Sequence, residues 1–262
     1  MKKEFPTHPG RTRFGDIVCE YTAPLRKSNK VLVLASGMPG YPGGSGKAIR
    51  SLAERGYWVF VPRYAGSWES RGKFLAHSPH EDVLTVVHGV SEEFMDIWSG
   101  KTLRIAKPRV YVIGASFGGA AAILAARDKA VVKAIALSPV VDWRGQEKTT
   151  EPVDLMAHFV HEAFGEAYRG DVSVWKKLAG GKFYSPVHEL SQCGTYEVPH
   201  WGKKLMIIHA KDDDVVPHDA AKQFAETVGA QFVSLRTGGH FGVSNVLKPR
   251  LYRRADAFLK HG

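Results

Sequence analysis

Three residue types, set far apart in the chain, could together perform acyl transfer: a serine, a histidine and an aspartate. The serine is Ser116, in Gly114-Ala115-Ser116-Phe117-Gly118-Gly119. The apolar run Val110-Tyr111-Val112-Ile113 precedes it and an alanine-rich run follows. The spacing is therefore G-x-S-x-G between a strand and a helix, where a sharp turn lifts a serine hydroxyl above a sheet. Small flanking residues relieve the crowding of such a turn. The following helix adds unsatisfied N–H groups and a positive end.

A hydroxyl becomes a nucleophile only with a base beside it. With 12 histidines in the chain, setting decides between them. His240 lies in Thr237-Gly238-Gly239-His240-Phe241-Gly242, a glycine-rich loop after the last apolar run, from which an imidazole can reach back over a sheet. His209 ends a strand and reads as a packed strand-end residue. The third group must accept the imidazole Nδ1 proton. It is expected after Leu205-Met206-Ile207-Ile208, where Asp212, Asp213 and Asp214 stand in a row before Val215-Val216-Pro217. Spacing from the proline favours Asp213, leaving Asp212 and Asp214 to solvent or to a helix cap. Asp142, after another strand, is the outside alternative. An oxyanion needs two donors. The Phe117 N–H is one. The loop Ser36-Gly37-Met38-Pro39-Gly40 supplies the other, assigned to the Met38 N–H or a neighbour in that loop.

These residues need a sheet to hold them. Continuous apolar runs at Val31–Ala35, Tyr57–Val61, Val110–Ile113, Val132–Leu137, Leu205–Ile208 and Gln231–Leu235 read as parallel strands covered on both faces. Helical patterns alternate with them, at Lys47–Arg55, Ser78–Trp98, Phe117–Arg127, Ala220–Val228 and Val246–Lys260. Gly15–Ala23 reads as an antiparallel edge strand. The fold class is α/β: a mostly parallel twisted sheet with helices on both faces. About 60 residues between Val140 and Lys203 break the rhythm, and a structureless loop of that length is uncommon. Their helical patterns, Val153–Tyr168 and Val174–Leu178, read as an inserted cap over the strand ends. The expected division is a first core part, 1–140, a cap, 141–202, and a second core part, 203–262. Trp143, Met156 and Phe159 are the cap residues assigned to a substrate pocket.

The composition bounds the partners. The chain has 262 residues, 44% of them hydrophobic, enough for one large core. The formal charge is +10, while residues 141–202 hold six Lys/Arg against nine Asp/Glu, a net of −3. No basic–aromatic ribbon or nucleic-acid motif accompanies the charge. No apolar run approaches a membrane span, and the basic start Met1-Lys2-Lys3 has no apolar stretch behind it. Cys19 and Cys193 are too few for a disulfide framework and read as free thiols. The expectation is a cytoplasmic protein with a small-molecule ester substrate, no nucleic acid, no stable membrane association, no metal and no cofactor.

With its motifs in place the chain resembles an α/β-hydrolase over nearly its whole length. Within that superfamily it resembles the prolyl oligopeptidase-like and acylaminoacyl peptidase-like branch with its small esterase relatives. Ser36-Gly37-Met38-Pro39-Gly40 is similar to that branch's H-G-G-P-G loop, with Ser36 and Met38 in place of His and Gly. Arg63-Tyr64-Ala65-Gly66-Ser67 with Gly72 is similar to its R-G-S…G stretch, interrupted by Ala65. Tyr184-Ser185-Pro186 is similar to the S-P before the acid strand, and His209 to Pro217 to its H-G-x-x-D-x-x-V-P. The resemblance implies hydrolysis of a carboxylic ester through an acyl-enzyme. Peptidases of the branch usually carry a propeller domain, for which this chain has no room. A peptidase or amidase with the same triad is the rival enzyme, and a non-catalytic ligand-binding relative the rival of another class.

Overall fold

The computed structural model describes residues 9–171, 173–192 and 200–260. Cys193 and the first eight residues lie outside them. Eight strands form one sheet in the order β1-β2-β4-β3-β7-β8-β9-β10. Their ranges are β1 Gly10–Phe14, β2 Ile17–Thr22, β3 Lys30–Ala35, β4 Trp58–Pro62, β7 Arg109–Ala115, β8 Val131–Leu137, β9 Leu205–Ala210 and β10 Gln231–Leu235. From β4 to β10 every neighbouring pair is parallel, while β1–β2 and β2–β4 are antiparallel. The single edge strand expected at Gly15–Ala23 is thus the second arm of a hairpin that turns at Asp16 and at Gly15, whose φ is 54°.

Side chains alternate across a strand, so each central strand feeds two cores. In β3, Val31, Val33 and Ala35 join the cluster under helices α2 (Pro79–Gly89) and α3 (Phe117–Ala125), whereas Leu32 and Leu34 join the opposite one. That second cluster is closed by α1 (Gly46–Glu54) and α8 (Pro249–Lys260). α7 (His218–Val228) packs on the α2–α3 side.

Two expected helices end early. α2 stops at Gly89, where Ser91 and Glu92 bond back three residues instead of four, to His88 and Gly89. The chain then pairs β5 (Phe94–Met95) with β6 (Thr102–Leu103), so Glu92-Glu93 lies in a turn and not in a helix. Between β8 and β9 the described elements are helical: a 3-10 helix at Trp143–Lys148, α4 Val153–Phe164, α5 Ser173–Ala179, α6 Pro186–Gln192 and a 3-10 helix at His200–Lys204. α4 ends four residues short of Tyr168, because Tyr168 leaves the helix to bond elsewhere.

Candidate active site

The groups singled out in the sequence sit on loops that leave the carboxyl ends of β3, β7, β9 and β10, the end at which open α/β sheets hold ligands. A cleft of about 300 Å³ there is lined by Met38, Ser116, Glu151 and His240 among others.

Ser116 forms the turn between β7 and α3 with φ 55° and ψ −121°, a strained conformation for a residue with a side chain. Its N–H donates to the Leu137 carbonyl at 2.9 Å, which ties the turn to β8. Gly118 is required by the close packing of α3 on β3: a Cβ there would overlap the Ala35 and Ser36 carbonyls. Phe117 begins α3, so its N–H has no partner within the helix. Among the described residues neither the Phe117 nor the Met38 N–H has an acceptor. The Gly37 backbone lies against the serine, with a Cβ built on it 3.3 Å from Ser116 Cβ. Two unclaimed donors therefore belong to the segments beside the hydroxyl.

Asp213 and His240 are brought together. His240 Nδ1 lies 3.0 Å from Asp213 Oδ2 and 3.1 Å from Oδ1, and the carboxylate side chain has no exposure. Burial alone would push the Asp213 carboxyl up. Hydrogen bonds from His209, His240, Ser138 and the Val216 N–H outweigh it and hold the group far below the usual carboxylate range. Its Oδ1 also accepts the Val215 and Val216 N–H groups, each at 3.0 Å. Ser116 Oγ has no hydrogen bond to His240 among the described residues; such contacts often tighten only when substrate binds.

The other two aspartates separate by geometry. Asp212 accepts the Gly239 N–H at 2.9 Å and the Gly238 N–H at 3.1 Å, bonds that lower its carboxyl. It fastens the histidine loop, in which Gly239 takes a φ of 61°, rather than facing solvent alone. Asp142 caps the 3-10 helix at Trp143 and pairs with Arg144 at 2.7 Å.

Five further residues brace these segments. His209 is fully buried, with Nε2 3.0 Å from Asp213 Oδ2 and 3.1 Å from the Val216 carbonyl. Both are acceptors, so Nε2 carries the proton. Ser138, also buried, donates to Asp213 and accepts the Phe241 N–H at 3.2 Å, linking the acid to the residue after His240. Tyr168 bonds both faces of Gly40: its hydroxyl donates to the carbonyl at 2.7 Å and accepts the N–H at 2.8 Å. Trp68 Nε1 donates to the same carbonyl at 2.8 Å, and Tyr64 donates to the Ser36 carbonyl at 2.9 Å. The loop holding Met38 is thus gripped at both ends. Only the placement of His209 in an H-x-x-x-D spacing could have flagged any of these.

The three assigned pocket residues do not line the cleft. Trp143 is fully buried behind Phe117, and its Nε1 donates to the Tyr184 carbonyl at 2.7 Å. It packs against Phe117, the residue after Ser116, since a ring with a satisfied N–H is best buried whole. Met156 is half-buried against the core. Phe159 is 49% exposed and packs edge-on against Phe164. The apolar side of α4 is split between the core and solvent.

A sequence model of the prolyl oligopeptidase family matches residues 45–262, most of the chain. The chain belongs to that family. No curated protein matches its sequence. Solved structures resemble it at low identity. Pyrococcus horikoshii acylaminoacyl peptidase is 17% identical with a TM-score of 0.61, covering 99% of this chain and 42% of that one. Pyrococcus furiosus esterase Pf2001 is 18% identical with a TM-score of 0.66, covering 99% and 95%. A putative lipase from Acinetobacter baumannii AYE is 15% identical with a TM-score of 0.63, covering 97% and 92%. The chain therefore spans less than half the length of the peptidase and nearly all of the other two. Among the described residues no helix is long and apolar enough to cross a membrane.

Proposed function

We propose that this chain is a serine hydrolase that cleaves small carboxylic esters through an acyl-enzyme. The observation that carries the reading is the buried Asp213 carboxylate bonded to His240 Nδ1 at 3.0 Å, with the other side of that imidazole in the cleft that Ser116 enters. Ser116 Oγ attacks the ester carbonyl carbon, and its proton passes to His240 Nε2. Asp213 holds the imidazole in the Nδ1–H tautomer and stabilises the imidazolium that forms. The carbonyl oxygen, now an anion, takes the Phe117 and Met38 N–H groups. The alcohol leaves with the proton from His240. Water then attacks the acyl-enzyme by the same route, and the acid is released. The residues between β8 and β9 serve as the cap on the substrate side.

Ester is favoured over amide on chemistry. An alkoxide leaves readily, whereas an amine leaves only after a well-placed imidazolium protonates it. Two of the similar structures are named an esterase and a lipase, and each is matched over more than nine-tenths of its length. The acylaminoacyl peptidase supports the peptidase alternative. The test is kcat/KM for p-nitrophenyl esters of graded chain length beside matching acyl and aminoacyl p-nitroanilides. Ester rates several orders of magnitude above the anilide rates are expected, with Ser116→Ala removing nearly all turnover. Comparable release of p-nitroaniline would make the peptidase reading the better one.

A further inference from the structure

The cleft beside Ser116 has one formally charged lining residue besides the histidine, Glu151. Its backbone is fixed by the turn that carries the acid. The Thr150 N–H and hydroxyl both donate to the Asp214 carbonyl, at 3.1 and 3.0 Å. One turn earlier Gln146, buried, donates to the Val215 carbonyl at 3.0 Å. The Glu151 N–H donates to Thr149 Oγ1 at 3.3 Å. Pro152 follows and restricts the residue before it to extended backbone. Glu151 is thus held at the mouth of the cleft by a main chain with little freedom.

Its side chain has no structural task. Among the described residues the Glu151 carboxylate accepts no hydrogen bond and enters no ion pair. It does not cap α4, whose N-cap is Pro152 and whose first-turn acid is Asp154. Tyr41, in the same lining, is 62% exposed and has no stacked or cationic partner among the described residues. A free carboxylate and a free aromatic face are the two surfaces that attract an ammonium group. The cleft offers an anionic substrate no cationic side chain in return.

We infer that this site selects esters bearing a positively charged ammonium group, with Glu151 as the residue that determines the preference and Tyr41 as its aromatic support. The inference rests on the hydrolase reading and adds the charge of the substrate to it. Glu151 is exposed, which limits the effect to the scale of a partly screened ion pair.

The test compares isosteric pairs that differ only in charge. For the alcohol side, hydrolysis of choline butyrate is followed against the butyrate ester of its tert-butyl isostere. For the acyl side, a p-nitrophenyl ester with a trimethylammonium-tipped chain is followed against its tert-butyl-tipped counterpart. In at least one pair kcat/KM should favour the cation by about fivefold. The preference should shrink as salt rises from about 0.05 to about 0.5 M. Glu151→Gln should bring the ratio close to one, and Glu151→Lys should invert it. If Glu151 acts instead on the imidazolium of His240, both members of a pair fall together and the ratio survives, which overturns the inference. Equal rates within both pairs in the parent protein overturn it as well while leaving the hydrolase reading intact. No hydrolysis of any of the four esters removes the hydrolase reading and this inference with it.

Discussion

The two halves of the site are anchored in different ways. On the acid–histidine side the groups that bond the carboxylate and fasten the histidine loop come from the sheet or the turns it ends in: His209 lies near the end of β9, Ser138 follows β8, and Asp212 and Asp213 follow β9, while Gln146 and Thr150 brace the carbonyls of the same turn. On the side of the proposed oxyanion donors the loop from Ser36 to Gly40 is held by hydroxyl and indole groups that come from farther away in the chain. Tyr168 belongs to the helical stretch between β8 and β9, and that stretch is strapped to the loop after β4. The Trp68 N–H donates to the Ala167 carbonyl at 2.7 Å and the Arg169 N–H to Gly66 at 2.8 Å. The carboxylate is therefore held mainly by the sheet and its turns, whereas the Ser36–Gly40 loop is held by side chains, one of them from the stretch between β8 and β9. On the proposed reading that stretch helps to set the oxyanion donors as well as a pocket.

The largest effect that would break this contrast is on the core side. Asp213→Asn should lower kcat by about 10⁴, with the fold retained by circular dichroism. It should also destabilise, since an amide faces the donors that the carboxylate satisfied. The sign with pH follows from the depressed carboxyl. Its stabilising contribution is complete above an unfolded value near 3.9 and is lost only as pH falls towards the folded one. The difference in unfolding free energy between parent and variant should be flat from about pH 5 to 8 and shrink below about pH 4. A difference growing towards acid would refute the assignment of those donors.

An intermediate effect is expected on the oxyanion side. Tyr168→Phe removes the hydroxyl that grips Gly40 while keeping the ring against Phe74. It should lower kcat by about tenfold for all esters alike, with KM little changed, as loss of transition-state stabilisation requires. A loss confined to KM would leave the stretch between β8 and β9 with the role of a pocket wall alone.

The smallest effect concerns alkaline pH. Burial pushes the Tyr168 phenol up to about 12. The ratio of parent to Tyr168→Phe activity should stay constant from about pH 7 to 10, because the hydroxyl keeps its proton there. A ratio falling towards one before pH 10 would place Tyr168 in solvent.

What the sequence disclosed follows the range of the forces involved. Ser116 was legible because the strand, the turn and the helix around it are all within a dozen residues. The parallel strands were legible because burial on both faces leaves continuous apolar runs such as Val31–Ala35. Asp213 could be separated from its neighbours by its distance to Pro217, though Asp212 carries its own task through a contact 27 residues away. The grip of Tyr168 on Gly40 spans 128 residues, and no local pattern announces it. The end of α2 was missed because the polar turn after Gly89 keeps a helix-like spacing until the β5–β6 pairing overrides it. Membership of the cap points Trp143 to the pocket, but a large ring with one donor finds its partner inward, at the Tyr184 carbonyl.

That inward tryptophan has an optical consequence. The Trp143 ring stands 5.8 Å from the ring of Phe117, the residue that follows Ser116, and it is sealed from water. An indole so enclosed is expected to emit towards the blue of the exposed Trp98. With six tryptophans in the chain, the difference between parent and Trp143→Phe spectra isolates that one ring, and its response to a reagent on Ser116 can be read as light without attaching a label.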